Sequence, residues 1–232
     1  LKAHAKQLFA ILLVAVPALA ASQQRHEHRE QPQVLAPGYS ALTFKVPIAG
    51  SYSLPSLGEA PDGSLLDSSG EPITLHALYE DKIAVLSFVY TSCGDVNGCP
   101  LASFVLSQLQ QRLSTDQRLS KKVRLVTISF DPLNDSPQVM ANYAKNYRHG
   151  DIDWRFLTTE SDRDLAPILK DYGQSVSRDR DADGQLVGTM SHILRVYLID
   201  ERQDIRNIYS TAFLHPDVLL ADIRTIIRTS SP

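Results

Sequence analysis

Cys93 and Cys99 are the residues in this chain whose type and spacing point first to chemistry. They are its only two cysteines, and five residues separate them in the loop Thr91-Ser-Cys93-Gly-Asp-Val-Asn-Gly-Cys99-Pro100. Thiolates bind soft metals and attack disulfides. A pair this close reads as part of a metal site, as a redox pair or as a structural disulfide bond. Two sulfurs alone do not hold copper or zinc securely, and the missing donor is usually imidazole. Of the seven histidines, His4 belongs to an N-terminal leader and His26 and His28 to a polar tail, where they read as solvated although two imidazoles at i and i+2 catch copper weakly. His76 reads as a surface or capping residue, and His215 starts a helix. His192 differs: it stands one residue before an apolar strand, at the end of a polar loop. It reads either as the third ligand or as a hydrogen-bonded edge histidine.

The elements around the cysteines favour working thiols. Residues 83–90 form an almost unbroken apolar run, which suits a strand buried on both faces of a parallel sheet. Pro100 follows Cys99, and residues 101–113 carry helical spacing. Proline fits the first turn of a helix, where its missing N–H costs nothing. The unit is strand, thiol loop, helix. Unpaired N–H groups and a partial positive charge at a helix N-terminus lower the pKa of a cysteine there.

The rest of the chain supplies a sheet for that unit. Residues 43–54 read as two short extended pieces around Pro47 and Gly50. Residues 63–75 read as a hairpin about Asp67-Ser-Ser-Gly70, followed by a single helical turn at 76–79. Residues 123–130 are a second buried strand ending at Asp131-Pro132. Ser136-Pro137 then caps and starts a helix, with Met140, Tyr143, Ala144 and Tyr147 as core. A short strand at 154–157 and a helix from Ser161 to Gly173 follow. The stretch 174–191 is polar. Residues 193–199 and 205–209 read as a strand pair, and a last helix after His215-Pro216-Asp217 turns Val218, Leu219, Ile223, Ile226 and Ile227 inward. Two strands separated by a helix imply a parallel right-handed crossover. The expected class is α/β, a thioredoxin-like mixed sheet flanked by helices, with N-terminal β-hairpin additions. In such a sheet the strand after His192 neighbours the strand leading to Cys93. Within the polar stretch, Asp179-Arg-Asp181-Ala-Asp183-Gly184 resembles half of a calcium loop, but Met190 stands where the bidentate Glu is needed, so it reads as a polar hairpin tip. Met190 itself is a soft donor read as packing.

Charge and N-terminal pattern bound the setting. A net charge of −3 without a basic run argues against nucleic acid as a partner. Lys2 and Lys6, the apolar run 8–16 and Ala18-Leu-Ala20 form a signal-peptide pattern. The expected division is 1–20 signal peptide, 21–40 flexible linker and 41–232 one thioredoxin-like domain. The protein is then expected in the periplasm or another extracytoplasmic space after cleavage near Ala20, or membrane-anchored if uncleaved. Thiols tend to oxidise there, so a pair that works reduced needs a metal or a thiol reductant.

Three segments together carry a family resemblance: Tyr90-Thr-Ser-Cys93 with Cys99-Pro100, Ile128-Ser-Phe-Asp131-Pro132-Leu-Asn-Asp135-Ser136-Pro137, and His192-Ile-Leu-Arg-Val-Tyr197-Leu-Ile-Asp200. In order and spacing, over about residues 62–228, the chain resembles the Sco/SenC family. The resemblance implies an extracytoplasmic, thioredoxin-fold metallochaperone that binds one copper, Cu(I) or Cu(II), through Cys93, Cys99 and His192. It implies delivery of copper to, or preparation of the thiols of, a copper enzyme such as the CuA-site subunit of cytochrome c oxidase. Asp131 would be a nearby acidic residue contacting a partner or supporting the ligands. Family members usually carry three residues between the cysteines and keep an N-terminal anchor; this chain carries five and a cleavable pattern. Asn97-Gly98 tolerates left-handed turn geometry and is expected to let the longer loop bulge.

Two enzymatic readings compete. A thiol–disulfide oxidoreductase acting through Cys93 and Cys99 would usually show two residues between the cysteines and a proline facing them. A peroxidase would need an arginine and a threonine beside its thiol; Thr91 is present without an arginine nearby in sequence. A monomeric copper protein is the leading expectation, and mixed function as a thiol reductase stays open.

Overall fold

The computed structural model describes residues 38–178, 181–182 and 190–230. The signal-peptide pattern, most of the 21–40 linker with His26 and His28, and most of the 179–184 acidic stretch lie outside the described residues. Among those described, no helix is long and apolar enough to cross a membrane.

The apolar run becomes β3 (Ile83–Val89), and all seven of its residues are buried, as a central strand covered on both faces requires. The elements before it are β1 (Ser64–Asp67), β2 (Pro72–Thr74) and the single turn α1 (Leu75–Tyr79); β1 and β2 pair antiparallel as the expected hairpin. After it come α2 (Cys99–Ser114), α3 (Gln117–Lys122) and β4 (Val123–Ser129). Next are α4 (Pro137–Ala144), β5 (Asp153–Thr158) and α5 (Asp162–Asp171). The chain ends with β6 (Val176–Ser177), β7 (Ser191–His192), β8 (Val196–Ile199), β9 (Ile205–Tyr209) and α6 (Pro216–Ser230). The main sheet runs β2-β1-β5-β4-β3-β8-β9. β3 pairs parallel with β4 and antiparallel with β8, with Leu86 facing Val126 on one side and Tyr197 on the other. This is the expected mixed sheet flanked by helices, with the hairpin joined to the edge of β5.

Capping follows the sequence signals. Ser136 Oγ accepts from Val139 N at 3.4 Å, with Pro137 at the first helical position. Gly173 takes the left-handed conformation (φ +60°) that ends α5. Met140 and Ala144 are buried as expected, with Tyr143 and Tyr147 packed against the core.

Four expectations need correction. Residues 43–54 form no strand. The chain turns there, Gly50 N donates to Thr225 Oγ1 of α6 at 2.9 Å, and Leu54 O accepts from Arg206 Nε at 2.8 Å. The strand expected over 193–199 begins only at Val196, because Ile193 turns outward and is 44% exposed. The helix α3 was not expected; only Leu119 of its six residues is buried, so it lacks an apolar stripe. The stretch read as a polar hairpin tip, 179–184, is flanked in sequence by a two-stranded ribbon, β6–β7, separate from the main sheet, and His192 lies on this ribbon and not directly before a strand of that sheet.

Candidate metal centre

Three neighbouring segments build the centre at the end of β3. Beyond Val89 the chain leaves the sheet and is tied at once to the loop after β4. Phe130 N donates to Val89 O at 2.9 Å. Thr91 N and Thr91 Oγ1 both donate to the Asp135 carboxylate, at 3.0 and 2.5 Å, and Ser129 Oγ donates to it at 2.5 Å. Asp135 is 1% exposed. A buried carboxylate is tolerable when its lone pairs are filled in this way. It anchors the chain two residues before Cys93.

The five-residue loop then folds on itself. Cys93 N donates to Tyr90 O, Asn97 N to Asp95 Oδ1, and Gly98 N to Asp95 O. Asn97 and Gly98 do not adopt the expected left-handed turn; Gly98 has φ −102°. What the glycine provides is room. A Cβ there would lie 3.0 Å from His192 Cε1, 3.1 Å from His192 Nε2 and 3.1 Å from Asp95 Oδ2. Cys99 is the first residue of α2 and fully buried, whereas Cys93 is half-buried.

His192 arrives from the other side on β7, paired with Val176 of β6. Its ring sits between Phe130 (centroids 5.0 Å apart) and the edge of Tyr90 (5.8 Å). Nε2 lies 3.5 Å from Cys93 Sγ and 3.6 Å from Cys99 Sγ. All three donor atoms lie within 4.8 Å of one another. Metal–sulfur and metal–nitrogen bonds of about 2.3 and 2.1 Å at a tetrahedral angle put S and N about 3.6 Å apart, so these residues fit one first-row ion. Both cysteines are free thiols.

The two sulfurs are electrostatically unequal. Cys93 is lowered to about 4: a hydrogen bond from the Cys99 thiol favours its thiolate against the cost of burial, and His192 and the N–H groups of Cys99 and Asp95 add to this. Burial pushes the Cys99 thiol up, and the neighbouring Cys93 sulfur pushes it further. The reduced pair thus holds one proton and one negative charge. Tyr90 Oη is buried without a hydrogen bond among the described residues, and burial followed by the Cys93 sulfur raises its phenol.

Comparisons with known proteins identify the family and the fold. A family model described as SCO1/SenC matches residues 59–228. The chain belongs to the SCO1/SenC family. A curated relative, the SCO1 protein homolog of Bacillus subtilis (strain 168), is 22% identical over 160 residues, spanning 68% of this chain and 78% of the relative. The structure of Arabidopsis thaliana ScoI with copper bound superimposes with a TM-score of 0.62 at 21% identity, covering 74% of this chain and 99% of that one. A structure of BsSco, described as a member of the Sco family of cytochrome c oxidase assembly proteins with a disulfide switch, gives 0.59 at 21% identity, covering 75% and 97%. These likenesses carry the thioredoxin-like fold.

The other sequence candidates fall elsewhere. His76 Nε2 bonds Ala60 O at 2.8 Å, and His215 sits at the start of α6 against Tyr39. Asp131 is 2% exposed, so it is not a surface contact; it accepts from Asn134 Nδ2 at 2.8 Å and lies 3.5 Å from Arg178. Met190 Sδ accepts from Arg178 Nε at 3.2 Å, which suits packing. Thr91 Oγ1 is committed to Asp135, as a peroxidase threonine would not be. Sequence reasoning missed Arg178, and it named Asp135 and Gly98 without the roles they play here. Asp135 lay in a stretch read as a helix start and as part of the family resemblance, neither of which points to its hydrogen bonds with Thr91, and Arg178 in a stretch with no periodicity.

Proposed function

We propose that Cys93, Cys99 and His192 bind one copper ion per chain, and that the protein delivers copper to, or prepares the thiols of, a copper enzyme outside the cytoplasm, such as the CuA site of cytochrome c oxidase. The observation that carries this reading is the meeting of two thiols and one imidazole within 4.8 Å. Two thiolates with an imidazole suit Cu(I), and hold Cu(II) with an added oxygen donor. Zinc would accept the same donors; the copper bound to Arabidopsis ScoI favours copper. The chain's own residues prepare the exchange. Cys93 already carries the charge, and the proton kept by Cys99 leaves as the cation enters, so loading releases acid. Half-exposure of Cys93 leaves one side of the ion open to an incoming thiol of the receiving protein. The test is copper titration of the reduced protein. One ion per chain is expected, with no stoichiometric binding in Cys99→Ser and weakened binding in His192→Ala. Full binding by Cys99→Ser would sink the proposal.

A second reading rests on the asymmetry of the sulfurs, an accessible thiolate beside a buried thiol. In a thiol–disulfide exchange, the Cys93 thiolate attacks a disulfide of the partner and expels one partner thiolate. Cys99 then attacks Cys93, forming the Cys93–Cys99 disulfide and releasing the second partner thiol. A thiol reductant must afterwards return the pair to its reduced state. Cys99→Ala should trap a mixed disulfide through Cys93; failure to trap any with an oxidised copper-site peptide counts against this role.

A further inference from the structure

We propose that Arg178 is the positioning residue for the third donor: its guanidinium locks the ribbon that carries His192 onto the end of β4 and so sets the imidazole against both sulfurs. The inference deepens the copper reading and rests on it. The ribbon needs such a lock. β6 and β7 pair over two residues each, Val176 with His192 and Ser177 with Ser191, and a two-stranded ribbon this short does not hold its own orientation. Ile193, directly after His192, turns outward, so its side chain does little to seat the ribbon in the core.

Arg178 directly follows β6, and its side chain is 14% exposed. Nε donates to Met190 Sδ at 3.2 Å, two residues before His192. Nη2 donates to Phe130 O at 2.9 Å, on the residue whose ring packs against the imidazole. Nη1 donates to Asp162 Oδ2 at 2.8 Å, at the first turn of α5. Nη2 also lies 3.5 Å from Asp131 Oδ1, a buried oxygen with no hydrogen bond among the described residues. The guanidinium therefore supplies the charge that makes burial of Asp131 tolerable, and with one planar group grips Met190, two residues before His192, and Phe130, whose ring packs against the imidazole.

Three variants test it. Arg178→Met keeps the apolar stem and removes the fork. Arg178→Lys keeps the charge beside Asp131 and loses the fork. His192→Ala gives the background. Support of a metal ligand from outside its coordination sphere is typically worth about 10–100-fold in affinity. In Arg178→Met, copper affinity should fall at least about 10-fold, with the Cu(II) spectrum moving toward that of His192→Ala; Arg178→Lys should recover part of the loss. On the His192→Ala background, Arg178→Met should cost nothing further, because the group it acts through is gone. Unchanged affinity and spectrum in Arg178→Met would overturn the proposal, as would an equal loss on both backgrounds, which marks general loosening. A readout without metal separates this from the copper reading. In the reduced, metal-free protein, nuclear Overhauser contacts between the His192 and Phe130 rings should be present and should weaken in Arg178→Met. If the parent protein binds no copper, the copper reading fails, while persistence or loss of those contacts still decides the role of Arg178.

Discussion

The cysteine side and the histidine side of the centre reach the same point by different means. The cysteines come on one continuous piece of chain, from a fully buried strand into a helix, fastened by Asp135 before the loop and by α2 after it. The histidine comes on a two-residue strand outside the main sheet, 93 residues beyond Cys99, and its contacts include one guanidinium, two aromatic rings and the packing of Val176 and Met190 on the core. The cysteine side is a fixed wall, and the histidine side is a flap seated by a few contacts. The copper delivery proposed above would benefit from that division, since one donor that lets go at lower cost than the other two gives an ion a way out.

The largest effect should come from breaking the wall. Asp135→Ala removes the acceptor of three hydrogen bonds and strands Thr91 N, Thr91 Oγ1 and Ser129 Oγ. Unsatisfied buried donors cost about 1–3 kcal/mol each, reduced where water enters, so a loss of about 3 kcal/mol is expected as a lowered denaturation midpoint. Asp135→Asn, which keeps an acceptor, should lose less. If Asp135→Ala unfolds at the parental denaturant concentration, the wall is not built as described.

A smaller effect should come from crowding the seam between the two sides. Gly98→Ala places a methyl 3.0–3.1 Å from the His192 ring and Asp95 Oδ2. The wall cannot yield there, because Gly98 caps α2, so the flap must. Overpacking of this kind costs roughly 1 kcal/mol at the low end. The expected result is a several-fold weaker copper affinity and an altered Cu(II) spectrum, with the denaturation midpoint little changed. A variant that loses stability but keeps parental affinity would show that the cysteine loop moved instead.

The same division explains what the sequence made legible. Apolar continuity announces β3, and Cys99-Pro100 announces α2, because each signal lies within the element it describes. His192 was findable as a lone imidazole before a strand, and its ribbon only as a polar hairpin tip without strands: two residues cannot display a period. Residues 193–199 read as one strand because Ile193 is apolar, and its exposure depends on a bend that only tertiary contacts set. Asn97-Gly98 carried a turn signal, yet the glycine was needed for close approach of a ring from a segment far along the chain. Arg178 and Asp135 act across such distances, where residue type alone carries no address.

The smallest expected effect separates the two sides by pH. Residues 38 and 39 lie over the cysteine loop: a Cβ at Gly38 would fall 2.9 Å from Val96 O, and Tyr39 Oη meets His215 Nε2 at 2.8 Å. His215 Nδ1 accepts from Asp217 N at 3.2 Å, so the ring is neutral with its proton on Nε2, donating to Tyr39. Charging the ring means putting a proton on Nδ1 and losing the Asp217 N–H bond. Burial lowers the pKa of His215 from 6.5; Arg112 acts in the same direction, and the Asp217 carboxylate opposes without prevailing. The unfolded chain then binds the proton more readily than the native one, so stability from this group is fully present above about pH 6.5 and is lost as pH falls through the lower native value. Denaturation midpoints should therefore drop between pH 7.5 and pH 5.5, and His215→Gln should flatten that part of the profile. Because the imidazole lies under the cover of the cysteine loop and not beside the ribbon, contacts between the His192 and Phe130 rings should survive the same pH change. If they are lost together with the Tyr39–His215 contact in the parent protein but kept in His215→Gln over the same pH range, the two sides move as one body and the division into wall and flap is wrong.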